Sequence, residues 1–189
     1  YDSELRLSGQ PIPTLQSMDV SDKVIYMNTF TKTLASTVRI SYMILPRELF
    51  QQYYKKLSFY SCTVSNFEQY TLAKFMEEGY FEKHINRLRN YYHNKRNTIV
   101  ETIKKSRLNQ YVSISGEEAG AHFLMKIETK KPQEQLMENA KAQGIKLSPL
   151  SAFYKENREE IQNTYVMNYS SVELEKIEKV VTRLAKCCE

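Results

Sequence analysis

At 189 residues with a formal net charge of +5, the chain is long enough for one sizeable core or two small ones, and its charge is too mild to require a polyanion as partner. Its 3 cysteines include no CxxC spacing, which excludes a zinc ribbon or dithiol redox motif and suits a reducing cytoplasmic setting. No uninterrupted apolar run reaches membrane-spanning length, so no membrane partner is expected.

Taken in chain order, residues 24–30 and 38–45 read as short apolar strands joined by a loop that carries Lys32. Pro46 opens a helix through about residue 57, with Glu48 in its first turn. Residues 65–78 form a second helix that stops before Gly79. A long amphipathic helix follows over residues 80–106, with Phe81, Ile85, Leu88, Tyr92, Ile99 and Ile103 as its apolar stripe. The basic set Lys83, Arg87, Arg89, Lys95, Arg96, Lys104, Lys105 and Arg107 is expected on its outward, solvated face.

Strands over 111–115 and 121–128 flank a glycine-bounded turn, where Glu117 and Glu118 are expected to be solvated. Residues 131–143 form a helix stopped by Gly144, 145–147 a short strand and 164–169 another. A closing helix covers 172–186, capped by Ser170 or Ser171. The aromatics Tyr53, Tyr54, Phe59, Tyr60, Tyr91 and Tyr92 could stack bases or line a cofactor pocket, but core and dimer-interface packing is the expectation. The alternation of strands and helices means an α/β arrangement with sheet packed on helices.

The loop Asn28-Thr29-Phe30-Thr31-Lys32-Thr33-Leu34, with Arg39 seven residues beyond Lys32, carries the chemistry. An amine that attacks an aldehyde must spend time uncharged, so it is expected to be partly buried and to have a cationic neighbour. A phosphate held beside it wants hydroxyls and a guanidinium that grips two oxygens at once. Lys32, Arg39, Thr29, Thr31 and Thr33 are that set of groups, and they fit a lysine carrying pyridoxal 5′-phosphate (PLP).

The wider stretch, residues 24–46, resembles the pyridoxal-lysine segment of fold-type I aminotransferases (class I/II), and most nearly the aminotransferase-like domain of MocR-type transcriptional regulators in the GntR family. The resemblance extends to Tyr1-Asp2-Ser3-Glu4-Leu5-Arg6, to residues 9–17, to Val64-Ser65-Asn66-Phe67-Glu68-Gln69, to His84-Ile85-Asn86-Arg87-Leu88-Arg89 after Gly79, and to Ala119-Gly120-Ala121-His122-Phe123. It implies the carboxy-terminal part of such a fold: residues 1–79 complete the large PLP-binding domain, and 80–189 supply a long linking helix and a small α/β domain.

By the same resemblance Lys32 forms the Schiff base and is the catalytic residue of an enzyme of this kind. Arg39 grips the phosphate with help from Thr29 and, more weakly, Thr31, and Tyr1 hydrogen-bonds the phenolic oxygen of the cofactor. The aspartate that pairs with the pyridine nitrogen falls before residue 1. No metal is implied. The implied partners are an amine or amino acid as effector or substrate, a second copy in a homodimer, and DNA only through a winged-helix domain outside this chain.

Three departures from the family pattern stand out. Ser36 replaces the usual proline and Ser41 the usual glycine before Tyr42. The arginine that fixes a substrate α-carboxylate has no clear counterpart, because Arg158 is the one arginine between Gly144 and Ser171 and sits in a charged run. Two functions follow from the resemblance: a sensor domain in which an amine displaces the lysine and the change passes to a DNA-binding domain, or an aminotransferase that passes an amino group from an amino acid to a 2-oxo acid. A third outcome is that this piece alone binds no cofactor.

Overall fold

A computed structural model describes residues 3–10, 12–156 and 158–189. The chain divides into two compact units, residues 1–88 and 89–189.

In the first unit a 3-10 turn at Ser3–Leu5 precedes an antiparallel hairpin of β1 (Tyr26–Thr29) and β2 (Ser41–Ile44), with Tyr26 opposite Ile44 and Thr29 opposite Ser41. Both strands are shorter than the apolar runs that contain them. Side chains have taken backbone groups that would lengthen the ladder: the Asp19 carboxylate accepts the amides of Lys23 and Val24 (both 2.7 Å), and the Thr31 hydroxyl takes the carbonyl of Val38. The Phe30 amide donates to the Ile40 carbonyl at 2.9 Å and closes the loop between the strands.

α1 (Arg47–Leu57) starts after Pro46, and the Asp22 carboxylate accepts the Arg47 amide at 2.8 Å, satisfying one of the orphan donors of the first turn. α2 (Asn66–Glu77) opens on a capping box in which the Ser65 hydroxyl accepts the Glu68 amide and the Glu68 carboxylate accepts the Ser65 amide. Neither helix buries a residue among those described. Phe50, Tyr53, Tyr54, Phe67 and Tyr70 are all exposed, and among the described residues of this unit Leu5 and Ile85 are the buried hydrophobic ones.

α3 (Tyr80–Lys104) runs from the first unit into the second. There β3 (Val112–Ser115), β4 (His122–Ile127) and β5 (Thr164–Asn168) form an antiparallel sheet in that order, with Met125 opposite Tyr165. The inward face of β4 is Phe123, Met125 and Ile127, each 1% exposed or less. α4 (Gln133–Ala142) adds Leu136 and Ala140, four residues apart on one face. α5 (Ile177–Cys188) adds Ile177, Val181, Leu184 and Cys188 at helical spacing. Cys187 and Cys188 are therefore core groups; burial pushes the Cys188 thiol up to about 11.

Four expectations are corrected. Residues 145–147 form no strand, since the Ile145 amide turns back to the Ala140 carbonyl at 2.9 Å and only Pro149 bridges to Tyr165. The closing helix begins at Ile177 rather than 172; the Asn168 side chain takes the Ser170 amide (2.9 Å) and hydroxyl (2.7 Å), and a 3-10 turn at Leu174–Lys176 intervenes. Tyr53, Tyr54, Phe59, Tyr60 and Tyr91 are exposed rather than in a core, while Tyr92 meets Tyr169 edge-on at 6.2 Å.

The fourth concerns the basic face of α3. Lys95 and Arg96 are 5% and 9% exposed, turned into the second unit. Lys95 Nζ donates to the Ser170 carbonyl at 2.9 Å, and Arg96 Nη1 donates to the Glu117 carbonyl at 2.8 Å while Nε and Nη2 hold the Asn97 side-chain oxygen. These cations serve as loop clamps. Arg96→Met keeps the apolar stem but leaves those two oxygens without their donors, so unfolding free energy is expected to fall by about 1–3 kcal/mol, measured by urea denaturation.

Candidate functional site

The hairpin loop is built by its own short-range bonds. The Leu34 amide donates to the Phe30 carbonyl (2.9 Å) and the Val38 amide to the Ala35 carbonyl (3.0 Å), so the chain makes two tight turns between β1 and β2. Thr33 points inward, 4% exposed, with its hydroxyl on the Phe30 carbonyl at 3.3 Å. Lys32, beside it in the first of these turns, is exposed in this chain rather than partly buried as expected, because the tight turn carries it at the tip of the hairpin. Arg39 is exposed on the return limb and makes no hydrogen bond or ion pair with the described residues.

Thr29 ends β1, and Thr31 directly precedes the lysine. Thr29 Oγ1 donates to the Ile40 carbonyl at 3.1 Å, Thr31 Oγ1 donates to the Val38 carbonyl at 3.0 Å, and the two hydroxyl oxygens are 3.1 Å apart. A hydroxyl has a single proton to give. Both protons are used on the loop, so either threonine would have to leave its carbonyl to donate to a phosphate, whereas the guanidinium of Arg39 needs no such exchange. Tyr1 lies outside the described residues. Arg158 is exposed with its guanidinium 5.4 Å from the Tyr154 ring centre, the solvated placement expected of its charged run.

Reading the sequence alone missed a polar cluster on the same hairpin. Asn28 Nδ2 donates to Glu4 Oε1 at 2.7 Å and to the Tyr26 hydroxyl at 3.0 Å, and Asn28 Oδ1 accepts the Thr29 amide at 2.8 Å. Tyr42 sits opposite Asn28 in the ladder. Partial burial, and then its hydrogen bond with Tyr26, push the Tyr42 phenol up. Tyr26 and Asn28 are two apart on a strand and so share a face, which is the signal that could have found them. Glu4, Asn28, Thr29, Thr33, Tyr42 and Phe81 line part of a cavity of about 530 Å³ in this unit.

The Lys32 amine, the uncommitted guanidinium and the hydroxyl-rich turn fit a group that has both an aldehyde and a phosphate. Among the described residues no helix is long and apolar enough to cross a membrane.

No family model matches the chain. It is 42% identical over 155 residues to the HTH-type transcriptional regulator YdeL of Bacillus subtilis, covering 82% of this chain and 33% of that protein. It is 34% identical over 151 residues to the probable rhizopine catabolism regulatory protein MocR of Rhizobium meliloti, covering 80% and 30%. The chain thus spans about a third of the length of these curated relatives. Among solved structures it matches the Pyrococcus horikoshii kynurenine aminotransferase with a TM-score of 0.81 at 28% identity, over 98% of this chain and 45% of that one. In sequence and in fold, the chain belongs with the aminotransferase-like domains of MocR-type regulators of the GntR family, and it corresponds to the carboxy-terminal part of the PLP-dependent fold-type I aminotransferase architecture.

Proposed function

We propose that this chain is part of a PLP-binding effector domain, in which Lys32 holds the cofactor and an amine or amino acid displaces the lysine. The observation that carries this reading is the hairpin itself, which holds the exposed Lys32 and the uncommitted Arg39 on the two limbs of one short loop. When bound, PLP supplies an aldehyde for the lysine and an electron sink for carbanion chemistry.

The residues of the chain have separable tasks. Lys32 provides the amine and, in an enzyme, moves the proton to and from the substrate α-carbon. Arg39 holds the phosphate, with the Thr29 and Thr31 hydroxyls available only in exchange for their loop carbonyls, and Tyr1 hydrogen-bonds the phenolic oxygen. Residues 1–79 complete the large cofactor domain and 80–189 form the linking helix and small domain. The exposed aromatic and aliphatic side chains of α1 and α2 suit burial against the rest of that domain and against a second copy in a homodimer.

In a whole regulator of the cytoplasm, the effector signal would pass to a DNA-reading domain outside this chain. For that, the effector must bind one arrangement of the protein more tightly than the other, since equal affinity would shift nothing. The experiment is a visible spectrum of the intact protein with PLP, borohydride reduction and peptide mapping, followed by a screen of amines and amino acids. A visible band fixed by borohydride onto Lys32, shifted by one class of amine without turnover, is the expected result. Sustained amino transfer to a 2-oxo acid would instead identify an aminotransferase, and a label on any other lysine would sink the assignment.

A further inference from the structure

We infer that Glu4 and Asn28 are positioning residues for Lys32, a clamp that sets where the lysine loop leaves its strand; this rests on the cofactor reading above. All the hydrogen-bonding groups of the Asn28 amide are used. Its nitrogen donates to Glu4 Oε1 at 2.7 Å and to the Tyr26 hydroxyl at 3.0 Å, and its oxygen accepts the Thr29 amide at 2.8 Å. The bond to Glu4 spans 24 residues and has an ionisable acceptor in a part-buried setting, which makes it the strongest member of the set.

Its placement gives the clamp its role. Asn28 stands in β1, four residues before Lys32, at the end from which the loop departs. Glu4 belongs to the Ser3–Leu5 turn, which is anchored by Leu5 at 3% exposure. In the sequence that turn begins two residues after Tyr1. One side-chain hydrogen bond therefore couples the two segments to which the reading assigns two contacts on the same cofactor ring, the phenolic-oxygen tyrosine and the lysine. The Asn28 amide also fixes the backbone at Thr29, whose hydroxyl braces the return limb at Ile40. A clamp of this kind leaves the fold in place while it narrows the range of directions open to the lysine, and reactions between held groups are sensitive to such displacements.

The test uses the intact protein and PLP, recording the rate at which the visible lysine-bound band appears and the pH midpoint of that band. Thermal unfolding of the cofactor-free protein is measured alongside. Asn28→Ala and Glu4→Ala are expected to slow band formation by about 10- to 100-fold and to move its pH midpoint. Glu4→Gln keeps an oxygen that accepts from Asn28 and is expected to restore most of the rate. The double substitution is expected to be no slower than the worse single one, as two ends of one interaction should be. Rates and midpoints within about twofold of the unsubstituted protein would overturn the clamp. So would a loss that follows the melting temperature in every variant, Glu4→Gln included. If the alanine variants fail to fold, Glu4→Gln against an Asn28→Asp variant, which sets two carboxylates face to face, decides the matter by the same readings. Absence of a band in the unsubstituted protein overturns the cofactor reading and the clamp together; a normal band there with unaltered variants overturns the clamp alone.

Discussion

Replacing Lys32 with alanine is expected to abolish the visible PLP band and the borohydride label completely, whereas replacing Arg39 is expected to keep the band and weaken cofactor binding. The two residues differ in what they do. On the proposed reading Lys32 would supply the atom through which the cofactor is joined to this loop, so its loss should be all or none. Arg39, on the proposed reading, would supply charge-assisted hydrogen bonds to a phosphate, which are worth about 1.5–3 kcal/mol each in favourable surroundings. Arg39 is exposed, so water and salt take the effect toward the low end, and Arg39→Ala should weaken PLP binding by roughly 10- to 30-fold. Pyridoxal, which lacks the phosphate, should bind the Arg39→Ala variant and the unsubstituted protein equally. An Arg39→Ala variant that loses the same factor toward both compounds would show that Arg39 supports the loop and not the phosphate. Arg39→Lys should recover only part of the loss, because a point charge cannot grip two oxygens.

The presence of the hairpin and the extents of α1, α2, α3, β3 and β4, to within two residues, were legible because their signals are local. Periodicity, Pro46, the Ser65 and Glu68 pair and Gly79 each act within one or two turns of chain. The misread segments depend on distant or side-chain bonds. Ile145 reads as strand by composition, yet its amide belongs to the end of α4. Ser170 and Ser171 read as caps, yet Asn168 claims Ser170 first.

The candidate site divides the same way. Lys32 and Arg39 could be named because one loop holds both. The Glu4 and Asn28 pair could not, since 24 residues separate them and no spacing rule connects them. Lys95 and Arg96 show a further limit: charge alone assigns them to solvent, but long cationic side chains can run inward when backbone carbonyls wait at the end of the reach.

Leu136→Ala is expected to cause the largest loss of stability of any single truncation considered, about 2–5 kcal/mol by chemical denaturation. Leu136 is 0% exposed on α4 and lies in the core of the second unit. Alanine is the better helix former by a few tenths of a kcal/mol, so a loss of this size cannot come from helix propensity and must come from the apolar contacts and the void left behind. Leu136→Met, which conserves volume and adds flexibility, should cost less than about 1.5 kcal/mol. If the two variants destabilise equally, Leu136 is not close-packed in this core. The contrast with the first unit gives the measurement its wider use. There, α1 and α2 expose Phe50, Tyr54 and Phe67 instead of burying them, so truncating one of those side chains should alter the stability of the intact protein only if another part of the large domain or a second copy covers it. A Phe50→Ala loss that grows with protein concentration would point to the second copy. A loss independent of concentration would point to the same polypeptide.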